Sequence, residues 1–157
     1  MVELSLTRSV DDPKRYELPG VGSLRRPHWY TRRTQARTID GREWTLMEKG
    51  FWGSEQTATD SYGTAVGVHR RRGWTGRDGT LTWQGRAYET RTAGWKLQTE
   101  VRGEGRVLLT ARPGAWRPKR VMVTLDETAG LDDGLILFAT WLAQTEQERR
   151  SSAAAST

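Results

Sequence analysis

The 157-residue chain has no cysteine and no asparagine. The first absence excludes disulfide frameworks, thiolate zinc sites and a catalytic thiol. Histidine is nearly missing as well. His28 and His69 lie in different segments, without HxxxH spacing or a carboxylate cluster beside them, so no metal site is expected. Lysine is scarce too: 21 of the 25 basic residues are arginine, a bias that a GC-rich genome produces as readily as selection for phosphate contacts. The first residues, MVELSLTRSVDDPKRY, hold no basic stretch followed by an apolar run and a small-residue cleavage site. A secretory signal is therefore not expected, and a cytoplasmic location is.

Catalytic patterns are missing in the same way. Ser54 lies in FWGSEQ rather than in a G-x-S-x-G elbow. GVGSLR, at Gly20, lacks the third glycine of a dinucleotide fingerprint, and no phosphate-binding G-x-x-x-x-G-K-[ST] loop occurs. Asp40, Asp60 and Asp78 stand in glycine-containing turns and read as turn formers, not as acid/base pairs. Neither a catalytic residue nor a cofactor is expected, and the chain is not read as an enzyme.

What is present is a rhythm. From residue 1 to about 125, glycine-containing turns recur roughly every eight to twelve residues between short runs rich in Val, Thr, Leu, Trp and Tyr. This spacing predicts about ten to twelve antiparallel strands. In QARTIDGREWTLMEKG, Asp40-Gly41 suits a two-residue type I′ turn, with Ile39, Trp44 and Leu46 as the apolar positions of its strands. Asp78-Gly79, Gln84-Gly85 and Ala93-Gly94 read as turns that open the following strands, and the RGEG at Arg102 to Gly105 as another hairpin loop. Asp11 to Pro27 holds three of the five prolines and is expected to be an extended arm, so residues 1–24 read as one strand plus that arm. Residues 25–150 form the single domain. SSAAAST, residues 151–157, reads as a disordered tail.

The one strong helical signal is LDDGLILFATWLAQTEQERR, Leu131 to Arg150. Between Leu135 and Ala143 only Thr140 is not apolar. Those nine residues reach ~13 Å as a helix, whereas crossing a bilayer takes about 20 apolar residues. The run cannot span. Its apolar side chains point in every direction around the axis, so it must be buried on every side. Asp132 or Asp133 can cap its start, and Arg149 and Arg150 suit its end. In a chain whose other elements are strands, the economical solution runs a helix over 132–150 through the middle of a closed sheet. With only 35% hydrophobic residues, the eight tryptophans must supply much of the core; Trp44, Trp83, Trp95 and Trp141 are its candidates, and Trp52, Trp74 and Trp116 sit near turns.

A DG hairpin, a D-x-x-G turn, a meander with WQGRAY and GWKLQTE, and the terminal LDDGLILFATWLA helix together resemble the tubby-like superfamily. Its branches include tubby C-terminal domains, phospholipid scramblases and LURP-one-related proteins. The resemblance covers roughly residues 25 to 148. It implies a closed antiparallel β-barrel of about twelve strands around a central hydrophobic helix, and a function in binding anionic lipids. No lipid-binding motif of tubby proteins is matched residue by residue, and neither the calcium-binding nor the cysteine-rich features of scramblases are visible.

With a net charge of +6 and a pI of about 10.2, a polyanionic partner is chemically reasonable. The basic clusters are Arg25/Arg26, Arg32/Arg33, Arg70/Arg71/Arg72 and Arg117/Lys119/Arg120. Ligand-binding candidates are Arg70, Arg71 and Arg72 beside Trp74, with Arg117, Lys119 and Arg120. Arginines next to an aromatic suit a phosphate at a membrane interface or a stacked base. Strand alternation sets a limit, because Arg70 and Arg71 should face opposite sides. The leading expectation is a non-enzymatic module for anionic phospholipid or phosphoinositide headgroups, peripheral at a membrane. A nucleic-acid-binding surface and a protein-interaction scaffold are the alternatives.

Overall fold

The computed structural model describes residues 1–27, 33–50, 54–72, 77–93, 98–114 and 120–155, with the backbone alone at 93 and 150–155. Twelve antiparallel strands close into a barrel around one helix, as expected. They are β1 (Val2–Arg8), β2 (Arg15–Leu18), β3 (Gly22–Arg25), β4 (Thr34–Thr38), β5 (Glu43–Lys49) and β6 (Glu55–Thr59). Then follow β7 (Ala65–Arg72), β8 (Asp78–Trp83), β9 (Arg86–Ala93), β10 (Gln98–Gly103), β11 (Arg106–Pro113), β12 (Val121–Leu125) and the helix α1 (Asp133–Ala155). Each strand pairs with its neighbours in sequence, and β1 closes the ring on β12, with Val2 opposite Leu125 and Leu6 opposite Val121. No sheet edge is left to recruit another chain.

Four local expectations change. Asp11 to Pro27 is not an arm: it contributes β2 and β3, each of four residues, and Pro13, Pro19 and Pro27 fall between strands, where a missing N–H costs nothing. The Asp40-Gly41 hairpin is not type I′, because only Gly41 has positive φ (90°) and its N–H donates to the Thr38 carbonyl. The two-residue turns with both φ positive are Gln84-Gly85 (48° and 81°) and Glu104-Gly105 (54° and 75°). Asp78-Gly79 lies inside β8 instead of preceding it. Finally, α1 continues through residues 151–155, so most of the expected tail is helical.

The run from Leu135 to Ala143 is buried throughout, including Thr140, whose hydroxyl donates to the Ile136 carbonyl at 2.7 Å. The helix runs closest to β3–β4 and β10–β12. Inward positions there are small or aliphatic, among them Leu24, Ala36, Val101, Ala111 and Val123. Across the wider gap toward β5, β8 and β9, Trp44, Trp83 and Tyr88 supply the bulk. Trp83 lies 5.4 Å from Trp44 and 5.8 Å from Phe138 between ring centroids, and Phe138 stacks on Trp141 at 5.9 Å. Trp95, expected in the core, and Trp52, Trp74 and Trp116, expected near turns, lie outside the described residues.

Asp132 is the cap. Its carboxylate accepts from the Gly134 N–H (3.1 Å), the Trp83 indole N–H (3.0 Å) and the Arg42 guanidinium (2.9 Å). One side chain thereby fixes the helix start to the β4–β5 connection and to β8. Burial, with Asp132 beside it, holds the neighbouring Asp133 carboxyl above its ordinary pKa.

Candidate functional site

Strand direction gives the barrel two chemically different ends. The helix enters at the end formed by the even-to-odd connections, from β2–β3 to β10–β11, together with the link from β12. It leaves at the end formed by the odd-to-even connections, from β1–β2 to β11–β12. In sequence, the chain segments connecting strands at the exit end carry nine basic and two acidic residues. Those at the entry end carry one basic and six acidic residues. The five tryptophans outside the core strands and helix, Trp29, Trp52, Trp74, Trp95 and Trp116, all belong to exit-end segments, one in each of five.

The basic triplet at the end of β7 is divided by strand alternation, as expected. Arg70 points outward, is largely exposed and pairs with Glu55 across the strand at 3.0 Å. Arg71 points inward and meets Glu146 of α1 at 2.6 Å. Arg72 is exposed and has no ion-pair partner among the described residues, and the same holds for Arg33, Arg77 and Arg120. Trp74, Arg117 and Lys119 lie outside the described residues. The expected site residues are therefore not one patch: Arg71 is engaged by the helix, while Arg70, Arg72 and Arg120 remain on the surface.

The ion pair of Arg71 is part of a longer chain. The Glu146 carboxylate also accepts from Arg149 (3.3 Å), which reaches Glu48 on β5 at 2.7 Å, and Arg26 after β3 pairs with Glu148 at 2.9 Å. Glu146, Glu148 and Arg149, all within one helical turn, are thus tied to β7, to β5 and to the residue after β3 where α1 leaves the barrel. Partly buried charges need such partners, because an unpaired one is costly to desolvate.

Deeper inside, next to Arg71, lies a polar layer that the sequence reading did not find. His69 Nδ1 is 2.7 Å from the Gln56 amide oxygen, and Nε2 is 2.9 Å from the Thr90 hydroxyl. Nδ1 therefore carries the proton and Nε2 accepts from Thr90. Burial, reinforced by Arg71 and partly offset by Glu146, lowers the imidazole pKa to about 4. Gly79 makes room for this layer, since a Cβ there would stand 2.6 Å from the Thr90 hydroxyl and 2.7 Å from His69 Nε2. Hydroxyl, imidazole and amide have the connectivity of a nucleophile, a base and its orienting group. Yet the neutral Gln56 stabilises an imidazolium less than a carboxylate would, and the adjoining cavity, about 20 Å³, has room for about one water. The layer reads as satisfied core. Period-two parity was its only sequence signal, since Gln56, His69 and Thr90 all occupy inward strand positions.

A second cavity at the exit end, of about 300 Å³, is large enough for a small molecule. It lies between β1–β4 and the middle turns of α1. Arg8, Lys14 and Arg26 stand on its rim, Tyr16 and Leu24 line its wall, and Gln144 and Glu148 project into it from successive helical turns. Arg8 donates to the Tyr16 hydroxyl at 3.0 Å and lies over its ring, 5.6 Å from the centroid. No group of three or more potential metal ligands occurs among the described residues, and no helix among them is long and apolar enough to cross a membrane. No family model, curated protein or solved structure matches the chain.

Proposed function

We propose that this chain is a non-enzymatic binding module that applies the exit end of its barrel to an anionic phospholipid surface. The charge division between the two ends carries the reading. A basic face opposite an acidic one orients the molecule in the field of a negative leaflet, where each Lys or Arg near the surface contributes about 1 kcal/mol. One tryptophan in each of five exit-end segments adds the residue type that favours the headgroup level. Twelve strands closed around a buried helix are also what the resemblance to tubby-like proteins implies, and that resemblance supports a lipid ligand.

Co-sedimentation tests it. Vesicles containing phosphatidylserine should carry the protein down, and vesicles of phosphatidylcholine alone should not. Replacing Arg33, Arg72 and Arg120 together by glutamate should weaken binding by about two orders of magnitude or more, at about 1 kcal/mol for each charge removed. Arg86→Gln, beside the acidic end, should leave it unchanged. Binding to single-stranded nucleic acid with a steep salt slope, and none to anionic vesicles, would transfer the basic face to the nucleic-acid reading.

A further inference from the structure

With its ring closed, the barrel offers a partner only its ends and its outer wall. Strand alternation divides that wall into cross-strand rows, and the registers show which side chains share one. Ser23, Arg37 and Glu43 form a charged row on β3–β5, and Glu3 and Glu100 close a row that runs over β1, β12, β11 and β10. Between these lies a row of another kind. Met47, Thr57, Val68, Thr82 and Ala87 stand side by side from β5 to β9 without a charge among them. At its middle Thr57, an outward position between Met47 and Val68, is only 3% exposed, and its hydroxyl has no partner. The row thus presents carbon instead of hydrogen-bonding groups, which suits contact better than hydration. The next row toward the exit end is charged and mixed in sign: Lys49, Glu55, Arg70, Thr80 and Glu89.

These two rows are complementary to a second copy of themselves. A two-fold axis along β7 sets β5 of one copy against β9 of the other, and β6 against β8. Met47, the longest chain of the uncharged row, then meets Ala87, the shortest, while Thr57 meets Thr82 and Val68 meets its own mate. In the charged row the same axis sets Lys49 opposite Glu89, twice over. Arg70 also faces its mate, but each is already paired with Glu55 at 3.0 Å. One operation satisfies both size and charge, and from this we infer that the chain forms a two-fold dimer, face to face through β5–β9. Strands about 4.8 Å apart and alternate side chains about 7 Å apart make the contact roughly 19 by 14 Å. That is below the ~800 Å² per partner of a standard interface, so the dimer is a weak one that exchanges with monomer at micromolar concentrations. The inference goes beyond the lipid reading and does not depend on it. The axis leaves both exit ends on one side of the dimer, where a single surface can engage the two together.

Sedimentation velocity of the full chain, without lipid, tests it. Wild type should pass from monomer to dimer as its concentration rises through the micromolar range. Val68→Asp brings two carboxylates together at the axis and should weaken association at least tenfold. Near-ultraviolet circular dichroism of this variant should stay native, because the position lies on the outer wall. Lys49→Glu and Glu89→Lys should each weaken the dimer by roughly tenfold, since each change turns two attractions into repulsions. Combined, they should restore it, as only a contact between these two residues allows. The chain has no cysteine, so a short bismaleimide should join Val68→Cys to its mate, whereas Glu3→Cys, on β1 across the ring, should stay unlinked. A chain that remains monomeric at every concentration overturns the dimer. A dimer that survives Val68→Asp and cross-links through Glu3→Cys overturns the assigned face. Neither result bears on vesicle binding by the exit end, which co-sedimentation reads separately, so the two readings fail independently.

Discussion

His69 makes a prediction that depends only on where β7 places it. Above pH 6.5 the imidazole is neutral in both folded and unfolded chains, so pH has no lever through it. Between 6.5 and about 4 the unfolded chain gains a proton that the folded barrel, desolvating the ring beside Arg71, does not accept. Stability must therefore fall as pH falls through this window, and the loss levels off once the folded ring protonates as well. At about 1.4 kcal/mol per pKa unit, the full loss is about 3 kcal/mol, and about 2.5 kcal/mol of it has accrued by pH 4.5. Carboxylates also titrate there, so the informative quantity is a difference. Urea unfolding of wild type and His69→Gln, followed at pH 7.5, 6.5, 5.5 and 4.5, should give a stability loss on acidification that is about 2.5 kcal/mol smaller in the variant. His69→Gln is expected to be the less stable protein at pH 7.5, because Thr90 and Gln56 lose their ring partner, yet to have the shallower slope. Parallel pH profiles, or an NMR titration placing the folded imidazole above pH 6, would refute the buried neutral ring.

Three further outcomes are expected. Gly134→Ala adds a favoured helix residue but should destabilise by about 1–3 kcal/mol, read as a lower Tm, because its Cβ would stand 2.5 Å from Trp83 and 2.6 Å from Trp44. Phe138→Asp, at a fully buried position, should prevent folding as judged by near-ultraviolet circular dichroism; a soluble, native-like variant would sink the central helix. Arg71→Met should cost a few kcal/mol in urea unfolding, since Glu146 stays partly buried without its 2.6 Å partner, and Arg71→Met combined with Glu146→Leu should recover much of the loss.

The barrel and its helix were legible because each rested on a pattern repeated many times. Turn spacing set the strand count, and an apolar run without a polar face left the helix nowhere to go but inside. The errors came from single residue pairs. Asp-Gly favours positive φ, but in a three-residue loop only the glycine needs it, and at Asp78-Gly79 the glycine serves a neighbour's bulk instead of a turn. Prolines concentrated between Asp11 and Pro27 masked two strands because each strand is only four residues long. That misreading also hid the charge division. Only when all twelve strands are counted does the parity of the connections show which loops share an end, and clusters read one at a time along the chain cannot show it.

The two ends of α1 are held by different kinds of contact. At the entry end, Asp132 is saturated by three donors and the indoles of Trp44 and Trp83 close over Gly134, so the structure there is committed to holding the helix. At the exit end, the helix is held by ion pairs from Glu146, Glu148 and Arg149, which can exchange partners with an incoming charge at small net cost. An anion that captured Arg26 would release Glu148 without opening the apolar core beneath, because Leu142 and the residues before it are buried. Exchange of these surface ion pairs would thus leave intact the apolar packing of the element that holds the barrel together.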